Sequence, residues 1–215
     1  EYCLDNFINN IYGINKENFN ITLFYFLPDD INSKKIELLN KLNPVIKIEK
    51  DITIPDLNII YGGRPDTEKV DNVSRTGVQA YIQQLYGIEQ SFIMMEQYEK
   101  ENDIEFDVIL RCRSDVIFKQ PVYINKYDLN NIIVAKFHYW DGINDRFAFG
   151  NRNIMKVYMN MYSYIYEITT NNRAYISKPE MWCKYNLDIH NIKYVMCDDI
   201  LFKRVRMGGG VINDY

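Results

Sequence analysis

The chain holds 215 residues, 47% of them hydrophobic and 25% charged, with a formal net charge of −4. That suffices for one α/β domain with a substantial core, and no apolar run approaches the roughly 18 to 20 residues of a membrane span. The 25 Lys and Arg residues are dispersed, which argues against nucleic-acid binding, and four cysteines without CxxC spacing beside two histidines argue against zinc.

Cys3, Cys112, Cys183 and Cys197 are expected as free thiols of a reducing compartment, the cytoplasm. A single domain over 1–215 is expected. The start at Glu1 leaves open that this is one module of a longer enzyme with an N-terminal strand missing.

In chain order, apolar residues 7, 8, 11, 12 and 14 predict a helix over 5–14. "ITLFYFL" (21–27) predicts a buried strand ending at Pro28. A helix over 31–42 is capped by Asn32 or Ser33 and stopped by Pro44, and "VIKI" and "LNII" are short strands. "YGGRPDTEKVDN" (61–72) is predicted as a mobile loop. The longest helix, 74–101, carries apolar residues at 78, 82, 85, 88, 92, 95 and 98. Strands follow at "FDVIL" (106–110) and "NIIVAKF" (131–137), then an aromatic loop, 138–150, with a short strand near its end. Helices over 151–169 and from "SKPEMW", with Pro179 in its first turn, precede a last strand, "IKYVM", and a flexible tail, 206–215. Strands alternating with helices predict a Rossmann-like, mostly parallel twisted sheet flanked by helices.

The stretch "FDVILRCRSDVIF" (106–118) breaks an apolar run with Arg111, Arg113 and Asp115. At a strand's carboxyl end, where α/β sheets collect ligands, two arginines and a carboxylate suit a diphosphate bridged by a divalent metal. An ion-pair ladder on an edge strand accounts for the same residues equally well. In "HYWDGINDRFAFG", Trp140, Asp141 and Asp145 combine aromatic faces with carboxylates as sugar sites do, or form a solvated turn with Trp140 in the core. Glu180 has a sufficient structural explanation at a helix N-terminus, where the dipole favours a carboxylate. Asp198 and Asp199 are first a turn or cap. The "GGR" of Gly62, Gly63 and Arg64 is weak evidence for nucleotide contact. Gln79, Gln83 and Tyr86 line the site or its solvated edge, and Met94, Met95, Met155, Met159 and Met161 fill core.

"FDVILRCRSDVIF", with "QQLYGIEQSFIMMEQYEKEN" before it and "GINDRFAFGNRNIMKVY" after it, resembles the GT-A-type glycosyltransferases of large DNA viruses and of bacterial polysaccharide and lipopolysaccharide synthesis. The likeness spans about residues 75–206. It implies a GT-A-like fold and metal-dependent, inverting transfer of a sugar from a UDP- or GDP-sugar to a glycan hydroxyl. By this resemblance Asp115 holds Mn2+ or Mg2+, and Arg111 and Arg113 are candidates to meet the nucleotide diphosphate. Arg64, Gly62 and Gly63 precede the matching span and are nucleotide candidates by the GGR pattern alone. The resemblance also places Asp145 and Arg146 in the sugar region and makes Glu180 the candidate general base, with Asp145 and Asp198 or Asp199 competing. Trp140 and Asp141 are sugar candidates by residue type alone. Arg113 stands where a D-x-D motif has its first Asp, a departure that bears on metal dependence. Rival readings are a non-catalytic carbohydrate- or protein-interaction module on the same fold, and a nucleotidyltransferase.

Overall fold

Two asparagines near the N-terminus do what no apolar pattern announces: they fasten a helix to the sheet region. The computed structural model describes residues 2–28, 31, 33–50, 59–61, 72–171, 174–176, 178–206 and 209–212. It opens with α1 (Tyr2–Phe7), a π-helical segment (Ile8–Tyr12) and α2 (Gly13–Asn15). Asn6 donates to Phe118 O at 3.0 Å and accepts from Phe118 N at 2.6 Å. Buried Asn15 bridges Val122 O at 2.8 Å and Ile124 N at 2.9 Å in the same way. Each amide satisfies backbone groups that would otherwise be buried unpaired.

The chain continues through β1 (Phe24–Pro28), α3 (Ser33–Asn40), β2 (Val45–Glu49), β3 (Ile59–Tyr61) and the long α4 (Asn72–Asn102). Then come β4 (Val108–Cys112), β5 (Val116–Phe118), β6 (Ile132–Ala135), β7 (Phe147–Asn151), α5 (Arg152–Met159) and α6 (Met161–Asn171). β8 (Ala174–Ile176), α7 (Pro179–Ile189), β9 (Tyr194–Cys197), β10 (Phe202–Val205) and β11 (Val211–Ile212) complete it. The predicted helix over 151–169 is two helices, with the break at Asn160 (φ −91°, ψ 21°). Of the tail expected to be flexible, Val211 and Ile212 pair with Val205 and Arg204 of β10. The 61–72 loop lies outside the described residues apart from its two ends.

The chain is α/β, with mixed sheets flanked by helices. The central sheet has the order β4-β7-β6-β9, with β7 antiparallel to both neighbours and β6 parallel to β9. β1–β2 and β3–β8 are parallel pairs, and β11-β10-β5 is antiparallel. The described sheets are thus mixed, where the sequence predicts mostly parallel pairing. The reason is the connection: β7 follows β6 through a loop without a crossover helix, so it returns in the opposite direction.

Alternation along the strands divides the core in two. Ile109, Ile132, Val134 and Ala148 face the helices, packing with Leu85 and Phe92 of α4, Tyr158 of α5, Ile165 of α6, and Trp182 and Leu187 of α7. Ile133, Ala135, Phe147 and Phe149 face Phe118, Phe202, Ile11 and Ile124. All four β6 side chains are therefore buried, as a strand covered on both faces requires. Met94, Met95, Met155, Met159 and Met161 are all buried, as their spacing predicts. Among the described residues no helix is long and apolar enough to cross a membrane.

Candidate functional site

β4 extends further than its apolar run. Arg111 lies inside the strand opposite Ala148, on the helix-facing side with Ile109, and only 7% of it is exposed. The predicted boundary after Leu110 is therefore too early. A buried guanidinium needs a partner, and Arg111 Nη1 donates to the Asp145 carbonyl rather than to Asp107 or Asp115.

After Cys112 the chain turns out of the central sheet through Arg113, Ser114 and Asp115, then enters β5 in the antiparallel sheet. The turn is tied at both ends: Arg113 N donates to Arg146 O at 3.1 Å, and Asp115 O accepts from Val205 N at 2.8 Å. Arg113 then grips Asp115 with a fork, Nε to Oδ1 and Nη2 to Oδ2, each 2.8 Å. Its Nη1 donates to Gln84 Oε1 at 2.8 Å, and Gln84 Nε2 donates to Asp145 Oδ2 at 3.1 Å. One polar chain thus runs Asp115–Arg113–Gln84–Asp145 from the turn before β5 to the loop before β7. Burial alone would raise the Asp115 carboxyl, but the hydrogen bonds and charge of Arg113, helped by Arg204, outweigh it and hold it below the usual range.

The loop entering β7 supplies the next two groups. Asn144 shapes it, accepting from Arg146 N at 2.9 Å and donating to Phe137 O at 2.8 Å. Asp145 and Arg146 are each 7% exposed. Glu180, in the first turn of α7 just after Pro179, is buried, and its carboxylate lies 3.5 Å from Arg146 Nη2. Its carbonyl accepts from Ile143 N at 3.0 Å. Burial first, then the neighbouring Asp145 charge, raises the Glu180 carboxyl above its ordinary value despite Arg146 and Arg204.

The structure brings Arg111, Arg113, Asp115, Asp145, Arg146 and Glu180 together at the carboxyl edge of β4, β6 and β9. Trp140 and Asp141 lie on an exposed loop. Trp140 is 53% exposed, so it is not core as one reading of its loop allowed. His138, Trp140 and Asp141 have left-handed backbones (φ 48°, 41° and 67°), and with Tyr139 they line an open hollow of about 410 Å3. Trp140 Nε1 donates to His138 Nδ1 at 3.1 Å; Lys178 Nζ lies 3.2 Å from Asp141 Oδ2 and 5.6 Å from the Trp140 ring centroid. Gly62, Gly63, Arg64 and the Gln79 side chain lie outside the described residues. Gln83 is exposed, and Tyr86 donates to Glu49 at 2.9 Å. Asp198 and Asp199 are turn residues, bound to Lys136 at 2.7 Å and to Tyr127 OH at 2.9 Å.

Sequence reasoning missed Gln84 and Arg204. Gln84 follows Tyr81 by one helical turn and precedes Ile88 by another, so a polar residue on the edge of a buried stripe was the available signal. Arg204 faces Val116 across the β5–β10 ladder, a proximity that no local pattern encodes.

A hard divalent ion takes several oxygen ligands, commonly one or two carboxylates with phosphates and water. Here a single carboxylate, Asp115, has both oxygens in the Arg113 fork. Among the described residues no group of three or more His, Cys, Asp or Glu side chains could hold an ion. The donor set as folded does not fit resident Mn2+ or Mg2+.

The fold and site define an α/β domain with a partly buried ionic cluster at the carboxyl ends of β4, β6 and β9. The chain belongs to the family described as domain of unknown function DUF7796, whose model matches residues 9–201. That span takes in every site residue named above except Arg204. Comparison with curated proteins gives no match.

Proposed function

We propose that the chain is a glycosyltransferase domain, GT-A-like, that moves a sugar from a UDP- or GDP-sugar to a glycan hydroxyl. The observation that carries this reading is the convergence of Arg113, Asp115, Asp145, Arg146 and Glu180 on one cluster at the carboxyl edge of the central strands. The motifs of "RCRSD", "NDRFAFG" and "SKPEMW", far apart in the chain, are those the resemblance assigns to donor, sugar and base. Their meeting supports a common site, and strand carboxyl ends are where α/β sheets bind ligands.

In this reading the acceptor oxygen bonds to the anomeric carbon while the bond from that carbon to the diphosphate oxygen breaks. The bonding pair leaves with the nucleoside diphosphate, and the acceptor's proton passes to Glu180. Burial raises the Glu180 carboxyl toward the range in which a base works near neutral pH. Arginine charge meets the negative charge growing on the leaving diphosphate. A single displacement inverts the anomeric centre. The four cysteines, all free thiols, suit a reducing compartment such as the cytoplasm.

The test is product analysis. The chain is incubated with UDP- and GDP-sugars and a panel of glycan acceptors, and glycan product and released nucleotide are measured by mass spectrometry. Nucleoside diphosphate released in step with glycosylated product, and lost in Glu180→Gln, is the expected result. Pyrophosphate release would point to nucleotidyl transfer instead. The exposed Trp140 hollow also suits a non-catalytic carbohydrate-binding module, which would bind glycans without any turnover.

A further inference from the structure

We infer that Arg113 takes the place of the divalent ion, so that the cleft binds the donor's diphosphate through fixed guanidinium charge, with Asp115 positioning Arg113 and no metal required. This inference rests on the glycosyltransferase reading. Its ground is the geometry of a cleft of about 370 Å3 lined by Gln84, Arg113, Ser114 and Asp115.

Three features support it. Arg113 is preorganised: the fork to Asp115 and the bond to Gln84, all at 2.8 Å, fix the plane of its guanidinium. A group held in advance stabilises a phosphate without reorganising, and arginine's planar donors match phosphate oxygens. Arg113 also reaches solvent, with 27% of its side chain exposed, where the cleft opens. The charge balances as well. A D-x-D pair at positions 113 and 115 would carry −2, whereas Arg113 with Asp115 carries 0. The difference is +2, the charge of one divalent ion. The electrostatic role of the metal is thus written into the sequence, and the lone forked carboxylate is what a metal site loses in the exchange.

The test is isothermal titration of UDP and GDP into the full chain, in EDTA and again in Mn2+. The expected result is that one of the two nucleotides binds in EDTA with an affinity within about twofold of that in Mn2+. Arg113→Asp, which recreates a D-x-D motif, should weaken binding in EDTA by about tenfold or more and recover it on adding Mn2+. Arg113→Gln keeps a hydrogen bond to Gln84 within reach and should weaken binding equally in both buffers, so the test survives if the aspartate variant does not fold. Wild-type binding that requires Mn2+ overturns the inference while leaving the transferase reading standing. Binding in EDTA that is unchanged by either substitution also overturns it. No binding of either nucleotide in either buffer overturns both the inference and the reading beneath it.

Discussion

Glu180 and Arg146 face each other at 3.5 Å with both side chains almost wholly buried, one from the first turn of α7 and the other from the loop before β7. The pair is long for an ion pair, and the Glu180 carboxyl stays raised because burial and Asp145 outweigh Arg146 and Arg204. Tyr81 of α4 donates to the neighbouring Pro179 carbonyl at 3.3 Å, and its burial keeps it protonated well above neutral pH. If Glu180 is the base of the proposed transfer it must be deprotonated to act, so turnover should rise with pH through an apparent pKa above the ordinary glutamate value. Glu180→Gln should abolish that limb and cost at least about a hundredfold in kcat. The raised carboxyl also has a stability consequence. It favours the folded state below the unfolded pKa, and that contribution is lost as pH rises through the folded value. Thermal melts of Glu180→Gln and wild type should therefore converge at low pH, and wild type should fall behind above it.

Gly142 matters by proximity and not by backbone conformation. A Cβ there would lie 1.9 Å from the Glu180 carbonyl oxygen and 2.4 Å from Met181 N, which no backbone tolerates unmoved. Gly142→Ala should destabilise by at least about 2 kcal/mol in urea unfolding. Because the displaced contact includes the 3.0 Å bond from Ile143 N to Glu180 O, activity should fall further than the remaining folded fraction accounts for.

Local chemistry was legible and long-range partnership was not. Pro179 at the start of α7, the three- and four-residue spacing of α4 and the methionine core positions follow from rules acting within one turn. Arg113 and Asp115 stood out as candidates because charges breaking an apolar run need a reason. Their bond to each other was open, since alternation puts both on one side without fixing which partner each finds. β5 was not legible as a strand because the charges of Arg111, Arg113 and Asp115 cut its three apolar residues off from β4, and the turn between them is fixed by Arg146 and Val205 from distant segments. Asn6 and Asn15 carry no local signal of their roles, because each spans more than a hundred residues to reach the backbone groups it pairs with.

The Glu99–Arg152 pair is a test of stability independent of the site. Arg152 donates to Glu99 at 2.9 Å and 2.6 Å, and Phe106 N adds a bond at 2.9 Å. The hydrogen bonds from Arg152, opposed by burial and aided by Phe106, hold the Glu99 carboxyl below its ordinary value. Its contribution is therefore present above the unfolded pKa and lost as pH falls through the depressed folded one. Glu99→Gln should cost about 3 kcal/mol at pH 7, the low end for a broken buried pair because Glu96 still neighbours Arg152 at 3.3 Å. Urea unfolding at neutral and at strongly acidic pH should show the difference shrinking in acid.

Trp140 separates binding from folding. It is half-exposed on a loop where its own φ is 41°, a left-handed conformation costly for any residue with a Cβ. An outlier of this kind motivates a functional hypothesis, here that Trp140 is a sugar contact of the proposed transferase. Trp140→Ala should leave stability within about 0.5 kcal/mol of wild type, as expected of a surface position. Trp140→Gly, freed of the left-handed penalty, should be about 0.5–1 kcal/mol more stable than the alanine variant in urea melts. Both should weaken glycan-acceptor binding by about tenfold or more in titration while leaving UDP or GDP affinity unchanged. Unchanged acceptor affinity in the two variants would remove Trp140 from the sugar site and leave its backbone conformation without a functional explanation.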